Sequence, residues 1–240
     1  MNEKIKINVL GDTHGLPFWK ELIDKNAVNV FLGDYLDAKI AEFRSTQMRN
    51  FLEILQYKQD NPEKVKLLLA NHDLPYMFLG KYGYNIDVNA DAINNHTIFQ
   101  ANKHLFDGVA YAIGNYLITH AGVTKQWYDR FIGDYNGESA TELAEKINEL
   151  FREDPSAFSF GVCHYWVHDI YGNDEHQSPV WVRPNALCEN NLLAETEIMQ
   201  VVGHTPVENI KNFNDKIYFI DCLKYSKESF VVEIDKCKTF

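Results

Sequence analysis

The sequence predicts an α/β fold built on a parallel sheet, and three observations carry that prediction. Apolar β-forming runs alternate with helical patterns through the first third of the chain, a βαβαβ order that favours parallel strands and right-handed crossovers. Five of the apolar runs end in Asp, His or Asn, and in parallel α/β sheets the carboxyl ends of the strands form the binding crevice. The chain's 240 residues are enough to bury one good core.

The elements follow in order. KIKINVL (4–10) alternates and reads as a strand. LPFWKELIDKN (16–26) reads as a helix with Pro17 near its first turn, followed by the strand VNVFL (28–32). Residues 38–61 place Phe43, Met48, Phe51, Leu52 and Leu55 at helical spacing, and VKLLLA (65–70) is a wholly apolar strand. A helix is expected over 90–106. Two strands are expected within GVAYAIGNYLITH (108–120), turning at Gly114-Asn115. Residues 138–154 form an amphipathic helix with Ser139 as its cap, and 155–190 are irregular, rich in His, Trp, Tyr and Pro. The runs 197–204, 216–221 and 229–235 read as late strands. No repeat or linker divides the chain, so residues 1–240 are expected to form a single domain. A less regular segment at about 123–190 is expected to cover the site.

Composition narrows the function classes. At 45% hydrophobic with 15 Phe, 13 Tyr and 4 Trp, the chain is too rich in aromatics for overall disorder. A net charge of −11 without a Lys/Arg block disfavours a grip on a nucleic-acid polymer or an anionic membrane. Metal ions can reverse that sign locally, so an anionic substrate stays open. Four cysteines without a C-x-x-C pair, and no signal-like stretch at the N-terminus, fit a reducing, cytoplasmic setting.

The chemistry sits at the strand ends: GDTHG (11–15), GDYLD (33–37), NHD (71–73), HAG (120–122) and GHTP (203–206). Brought together they line a pocket with Asp12, His14, Asp34, Asn71, His120 and His204. Three imidazoles, two carboxylates and an amide oxygen suit Mn, Zn or Fe better than a Ca or Mg cage. Paired carboxylates at the end of a buried strand make sense if cations offset their repulsion. Asp34 can then bridge two metals, with Asp37 one step behind. A single histidine here would read as a hydrogen-bonded core residue; the ensemble reverses that.

Those five motifs resemble the calcineurin-like metallophosphoesterases, a sandwich of two mixed β-sheets flanked by helices. Within them the chain looks most like the phosphoprotein phosphatase branch, which includes bacterial and phage Ser/Thr phosphatases and symmetrical diadenosine tetraphosphatases. The resemblance spans about residues 5–221, apart from 123–177. It implies two divalent metal ions, manganese first with iron or zinc as alternatives. Asp12 and His14 would bind one ion, Asp34 would bridge, and Asn71, His120 and His204 would bind the other. It further implies in-line attack by a metal-bridging hydroxide, with His72 as general acid oriented by Asp37. Pro206 stands where other branches carry a second metal-binding His.

Two positions depart from the family. Ala38 and Lys39 replace an Arg-Gly pair whose Arg clamps phosphate, leaving Lys39, Arg44 or Arg49 as substitutes. Ala70 replaces a Gly. The stretch SPVWVRP (178–184) resembles a segment that delivers a second phosphate-binding Arg, here Arg183. The implied activity is a Ser/Thr protein phosphatase-like phosphomonoesterase acting on a phosphoprotein or small phosphoester. Alternatives are a dinucleoside polyphosphate hydrolase and a catalytically weakened binding scaffold. His164 and His168 lie four apart beside Cys163, but their aromatic company favours a packed loop over a third metal site. Trp166 and Trp181 are assigned to core packing over a stacking wall, and His96 and His104 to core or surface.

Overall fold

A computed structural model describes residues 4–84, 86, 90–161 and 171–235. Nine strands among them form two mixed sheets. In the first, β1 (Lys4–Leu10), β2 (Val28–Phe31) and β3 (Val65–Leu67) run parallel, and β9 (Phe230–Asp235) adds antiparallel to β1, in the order β3-β2-β1-β9. The second has the order β4-β5-β6-β8-β7, from β4 (Ala110–Ile113), β5 (Tyr116–Thr119), β6 (Met199–Val202), β7 (Lys211–Phe213) and β8 (Ile217–Phe219). There β5, β6 and β8 are parallel, and β4 and β7 close the two edges antiparallel. The helices are α1 (Trp19–Leu22), α2 (Gln47–Asp60), α3 (Leu74–Phe78), α4 (Ala90–Ala101), α5 (Lys125–Phe131), α6 (Ala140–Glu153) and α7 (Pro184–Glu189).

Period-two alternation sets the layers. Ile7, Val9, Val30, Leu32 and Leu68 point toward Ile118, Val201 and Ile220, which fills the space between the sheets. Their neighbours Leu10, Phe31, Leu67 and Leu69 point the other way, onto Phe51, Ile54 and Leu55 of α2 and Phe99 of α4. On the far face of the second sheet, Val202, Ile217 and Phe219 pack against Ala186 and Leu187 of α7.

The expected strands hold, including the 110–119 hairpin with Gly114 at a positive φ of 56°. Ser139 caps α6 in a full capping box with Glu142. Two expected helices are shorter. The one expected over 16–26 is only α1, because Asp24 turns the chain by accepting the Asn26 amide. The helix expected from residue 38 begins at Gln47: Gln47 Oε1 accepts the Ala38 amide at 2.8 Å, which folds 38–46 into a loop with a 3-10 turn at Ala41–Phe43. That loop carries Lys39. The sequence reading did not find α3, α5, α7 or β7, all seven residues or fewer and too short for a clear period. Among the described residues after 123, α5 and α7 add helix to the expected α6, and 171–183 are without regular structure. His164, His168, Trp166, Cys163 and Cys237 lie outside the described residues, and no described helix is long and apolar enough to cross a membrane.

Phe51 is fully buried and stacks between Tyr35, at 5.1 Å, and Phe99, at 4.9 Å. Phe51→Ala is expected to lower stability by about 3–5 kcal/mol. Ser139→Ala, which removes only the cap, should cost about 1 kcal/mol. Urea unfolding of the two variants measures the difference.

Candidate metal centre

All six residues expected to bind metal leave the carboxyl ends of parallel strands and converge. Asp12 and His14 follow β1, Asp34 follows β2, Asn71 follows β3, His120 follows β5 and His204 follows β6. Backbone bonds tie four of the turns in pairs, the His14 amide donating to the Asp34 carbonyl at 2.6 Å and the Gly203 amide to the His120 carbonyl at 2.8 Å. His14, Asp34, Asp37 and His204 all adopt left-handed backbone, with φ of 41°, 53°, 59° and 63°. Such conformations cost on the order of 1–3 kcal/mol each in residues other than glycine, and they gather where function requires them.

Asp34 is the hub. Its Oδ1 accepts the His72 amide at 3.0 Å, while Oδ2 lies 3.3 Å from His14 Nε2 and 3.7 Å from His120 Nε2. It belongs to both clusters of prospective ligands, one with His14 and His72 and the other with Asp12 and His120. Asn71 Oδ1 stands 2.7 Å from His120 Nε2 and 3.1 Å from His204 Nδ1, and the two ring nitrogens are 3.2 Å apart.

The tautomers show what these contacts are. The outer nitrogen of each ring faces a backbone carbonyl: His14 Nδ1 faces Leu36 at 3.0 Å, His120 Nδ1 faces Leu32 at 3.1 Å and His204 Nε2 faces Trp181 at 3.0 Å. Each of these therefore carries the N–H and donates it. Burial pushes the His120 pKa down to about 4 and, with His120 and Arg183 nearby, pushes His204 well below the ordinary range. Burial likewise lowers His14. Neutral rings with the outer nitrogen protonated turn lone pairs inward. Asn71 Oδ1 and the Asp34 carboxylate, which despite its burial the histidines around it keep ionised, also offer only lone pairs. Acceptors held 2.7–3.7 Å apart with no hydrogen between them repel unless a cation lies among them. The residues fit a metal centre, and the carbonyl partners are the supports that orient metal-binding histidines.

Asp73 and Asp221 complete the electrostatics, and the sequence reading assigned neither. Asp73 is fully buried; its oxygens accept the amides of Asp34 at 2.8 Å, Tyr35 at 3.1 Å and Ala70 at 2.9 Å, fixing the turn after β2. Its place in the NHD motif was the available signal. Asp221 ends the expected strand 216–221 and lines the cavity; burial and the Asp34 charge push its pKa up to about 7. Burial, with Asp221 and Asp34 beside it, also pushes Asp12 up. Both shifts express a crowd of carboxylates lacking counter-charge.

Ala70, which stands in place of a family glycine, is accommodated by Gly33. A Cβ at Gly33 would sit 2.4 Å from the Ala70 methyl, and Gly33 has a φ of 100°.

The cavity over the centre measures about 240 Å³ and is lined by Lys39, Trp181, Arg183 and Lys224 as well as Asp12, His14, Asp34, Asn71 and His204. Arg183 Nη1 donates to Thr205 Oγ1 at 3.1 Å. Arg44 and Arg49 are exposed and do not line this cavity; Lys39 does. At the rim, His72 Nδ1 lies 2.8 Å from Asp37 Oδ2, and the Tyr76 hydroxyl donates to Asp37 Oδ1 at 2.6 Å. Burial pulls the His72 pKa down, but the Asp34 charge and the Asp37 bond outweigh it and hold it above the ordinary value.

The family model of the calcineurin-like phosphoesterases matches residues 5–216. A cold-active protein tyrosine phosphatase from a psychrophilic Shewanella species superposes with a TM-score of 0.53 at 20% identity, covering 97% of this chain and 76% of that one. A point mutant of a cold-active protein tyrosine phosphatase gives 0.58 at 18%, with coverage of 97% and 76%. A protein serine/threonine phosphatase from Saccharomyces cerevisiae gives 0.51 at 15%, with coverage of 97% and 73%. At these identities the likeness is one of fold. No curated protein matches in sequence.

Two measurements test the centre. Manganese at about 100 times its Kd should stabilise the chain by about 2.7 kcal/mol, and Asp34→Asn should abolish the accompanying rise in Tm. Asp73→Asn, which strands buried amides, should cost about 2–3 kcal/mol in urea unfolding whether or not metal is present.

Proposed function

The chain belongs to the calcineurin-like phosphoesterases, which are metal-dependent phosphoester hydrolases, and from that premise we propose a dinuclear phosphomonoesterase of the protein-phosphatase kind. One observation carries the reading: the inward lone pairs of Asn71, His120 and His204 meet beside Asp34, with the His72–Asp37 pair next to them on the rim. The phosphatase neighbours support it by fold.

Asp12, His14 and Asp34 would hold one divalent ion, and Asp34, Asn71, His120 and His204 the other. The mixed imidazole, carboxylate and amide set favours manganese, with iron or zinc as alternatives. The ions, when bound, supply Lewis-acid polarisation of the phosphoryl group and an activated water.

The remaining work falls to side chains. Lys39, Arg183 and Lys224 give the cavity positive charge for phosphate oxygens. Lys39 Nζ stands 3.2 Å from His72 Nε2. A phosphate drawing the ammonium away frees Nε2, which faces the leaving oxygen. Asp37, itself held by Tyr76, keeps the other ring nitrogen as donor, so the transferable proton belongs on Nε2. Thus Lys39 takes the place of the arginine absent at Ala38.

With added manganese, the protein should hydrolyse p-nitrophenyl phosphate and a phosphopeptide faster than diadenosine tetraphosphate. Asp34→Asn should reduce hydrolysis to background. His72→Asn should keep a measurable rate, lower by roughly 10²-fold. A dominant diadenosine rate would move the assignment to dinucleoside polyphosphates. Bound metal without turnover of any of the three would favour a binding scaffold.

A further inference from the structure

A second cavity of about 330 Å³ adjoins the metal centre and shares Asn71, His72 and Trp181 with the first. The dividing wall is therefore His72 with Asn71 and Trp181, and Asp37 holds His72 from the second cavity's side. On the far side the lining changes character: Pro75, Tyr76, Tyr84, Ile86, Phe160 and Trp181 present mostly apolar and aromatic surface. These rings are fixed from behind. Tyr84 stacks on Phe78 at 5.5 Å and its hydroxyl donates to the Pro155 carbonyl at 2.7 Å. Tyr76 stacks on Phe99 at 6.0 Å, and Phe160 packs on Trp181 at 4.6 Å. Trp181 is in turn set edge-on to His204, at 5.9 Å. Its Nε1–H is buried with no hydrogen-bond partner among the described residues.

We propose that this second cavity receives the leaving group and selects a flat aromatic ring, making aryl phosphomonoesters, a phosphotyrosyl side chain in particular, the preferred substrates. The inference rests on the phosphomonoesterase reading above and adds the substrate class. The placement follows from connectivity. With phosphate among Lys39, Arg183 and the metal-site residues, the ester oxygen lies at His72, which lines both cavities, so the second cavity is the adjoining space for the next atoms. In an aryl ester the ring begins at the atom bonded to that oxygen, so it meets the aromatic walls at once. An alkyl seryl carbon leaves them unfilled. Preformed aromatic walls suit ring-on-ring contact, because their own ordering is already met by the packing behind them. In the reaction, water attacks phosphorus, and the bond to the aryl oxygen breaks. That oxygen keeps the electron pair, takes the His72 proton and leaves as phenol. One water proton passes to solvent and His72 is reprotonated from it, so an aryl phosphate and water give a phenol and inorganic phosphate.

The test pairs binding with turnover, using the full-length chain with added manganese. Phenylphosphonate, which is not hydrolysed, should inhibit about tenfold more tightly than methylphosphonate. In Phe160→Ala that advantage should fall to about twofold. The ratio of kcat/KM for a phosphotyrosyl over a phosphoseryl peptide of the same sequence should fall at least about fivefold from the native chain to Phe160→Ala. Comparing ratios removes the intrinsic advantage of phenol as a leaving group. Equal inhibition by the two phosphonates in the native chain would overturn the inference while leaving a phosphatase that cleaves both peptides. A chain that binds metal yet cleaves neither peptide would overturn the phosphomonoesterase reading and this inference with it.

Discussion

Repulsion among acceptors held at one point is the constraint the rest of the molecule serves. Asp34 sits at its centre, 1% exposed, with lone pairs of His14 and His120 facing the same carboxylate oxygen. Neither burial nor hydrogen bonding relieves that arrangement: each imidazole N–H is already spent on a carbonyl, and burial keeps the inner nitrogens unprotonated. Only positive charge relieves it. Divalent cations bound there would supply that charge and, in the same stroke, the reactivity that the proposed phosphoester cleavage needs.

A rigid frame is needed to hold such an arrangement. Left-handed backbone at four site residues other than glycine is unfavourable locally. It persists because the residues just before them lie in strands whose side chains fill two cores, one between the sheets and one beneath α2 and α4. Asp73 extends the same frame to the turns, gathering three amides from two chain segments. Stability held in the cores thus maintains a site that is locally strained.

The two departures from the family pattern are compensated in different ways. At Ala70 the extra methyl uses room that Gly33 leaves, which changes packing and not chemistry. At Ala38 the loss of an arginine changes the charge of the cavity, and the loop at 38–46 brings Lys39 into it in exchange. A lysine is a compact charge without the fork of a guanidinium, so in the proposed function it would share a phosphate with Arg183 without clamping it bidentately. On the other side of His72 the aromatic cavity adds apolar contact that the charged one lacks.

Much of this was legible in the residues themselves. Each of the five motifs is contiguous, and a strand's length and alternation are local properties, so the strand ends and their Asp, His and Asn could be read in order. The αβ order of the first third and the capped helix α6 were legible for the same reason. Short helices such as α3 and α7 were not, since fewer than two turns give no period and their stability comes from what they pack against. Which strands share a sheet, that Asp221 joins the centre from β8, and that Lys39 and not Arg44 reaches the cavity depend on pairings across the whole chain. Local sequence determined which groups were available for the chemistry. Distances between them, the tautomers those distances imply and the second cavity beside His72 were decided only by the tertiary structure, because each arises from contacts between segments far apart in the chain.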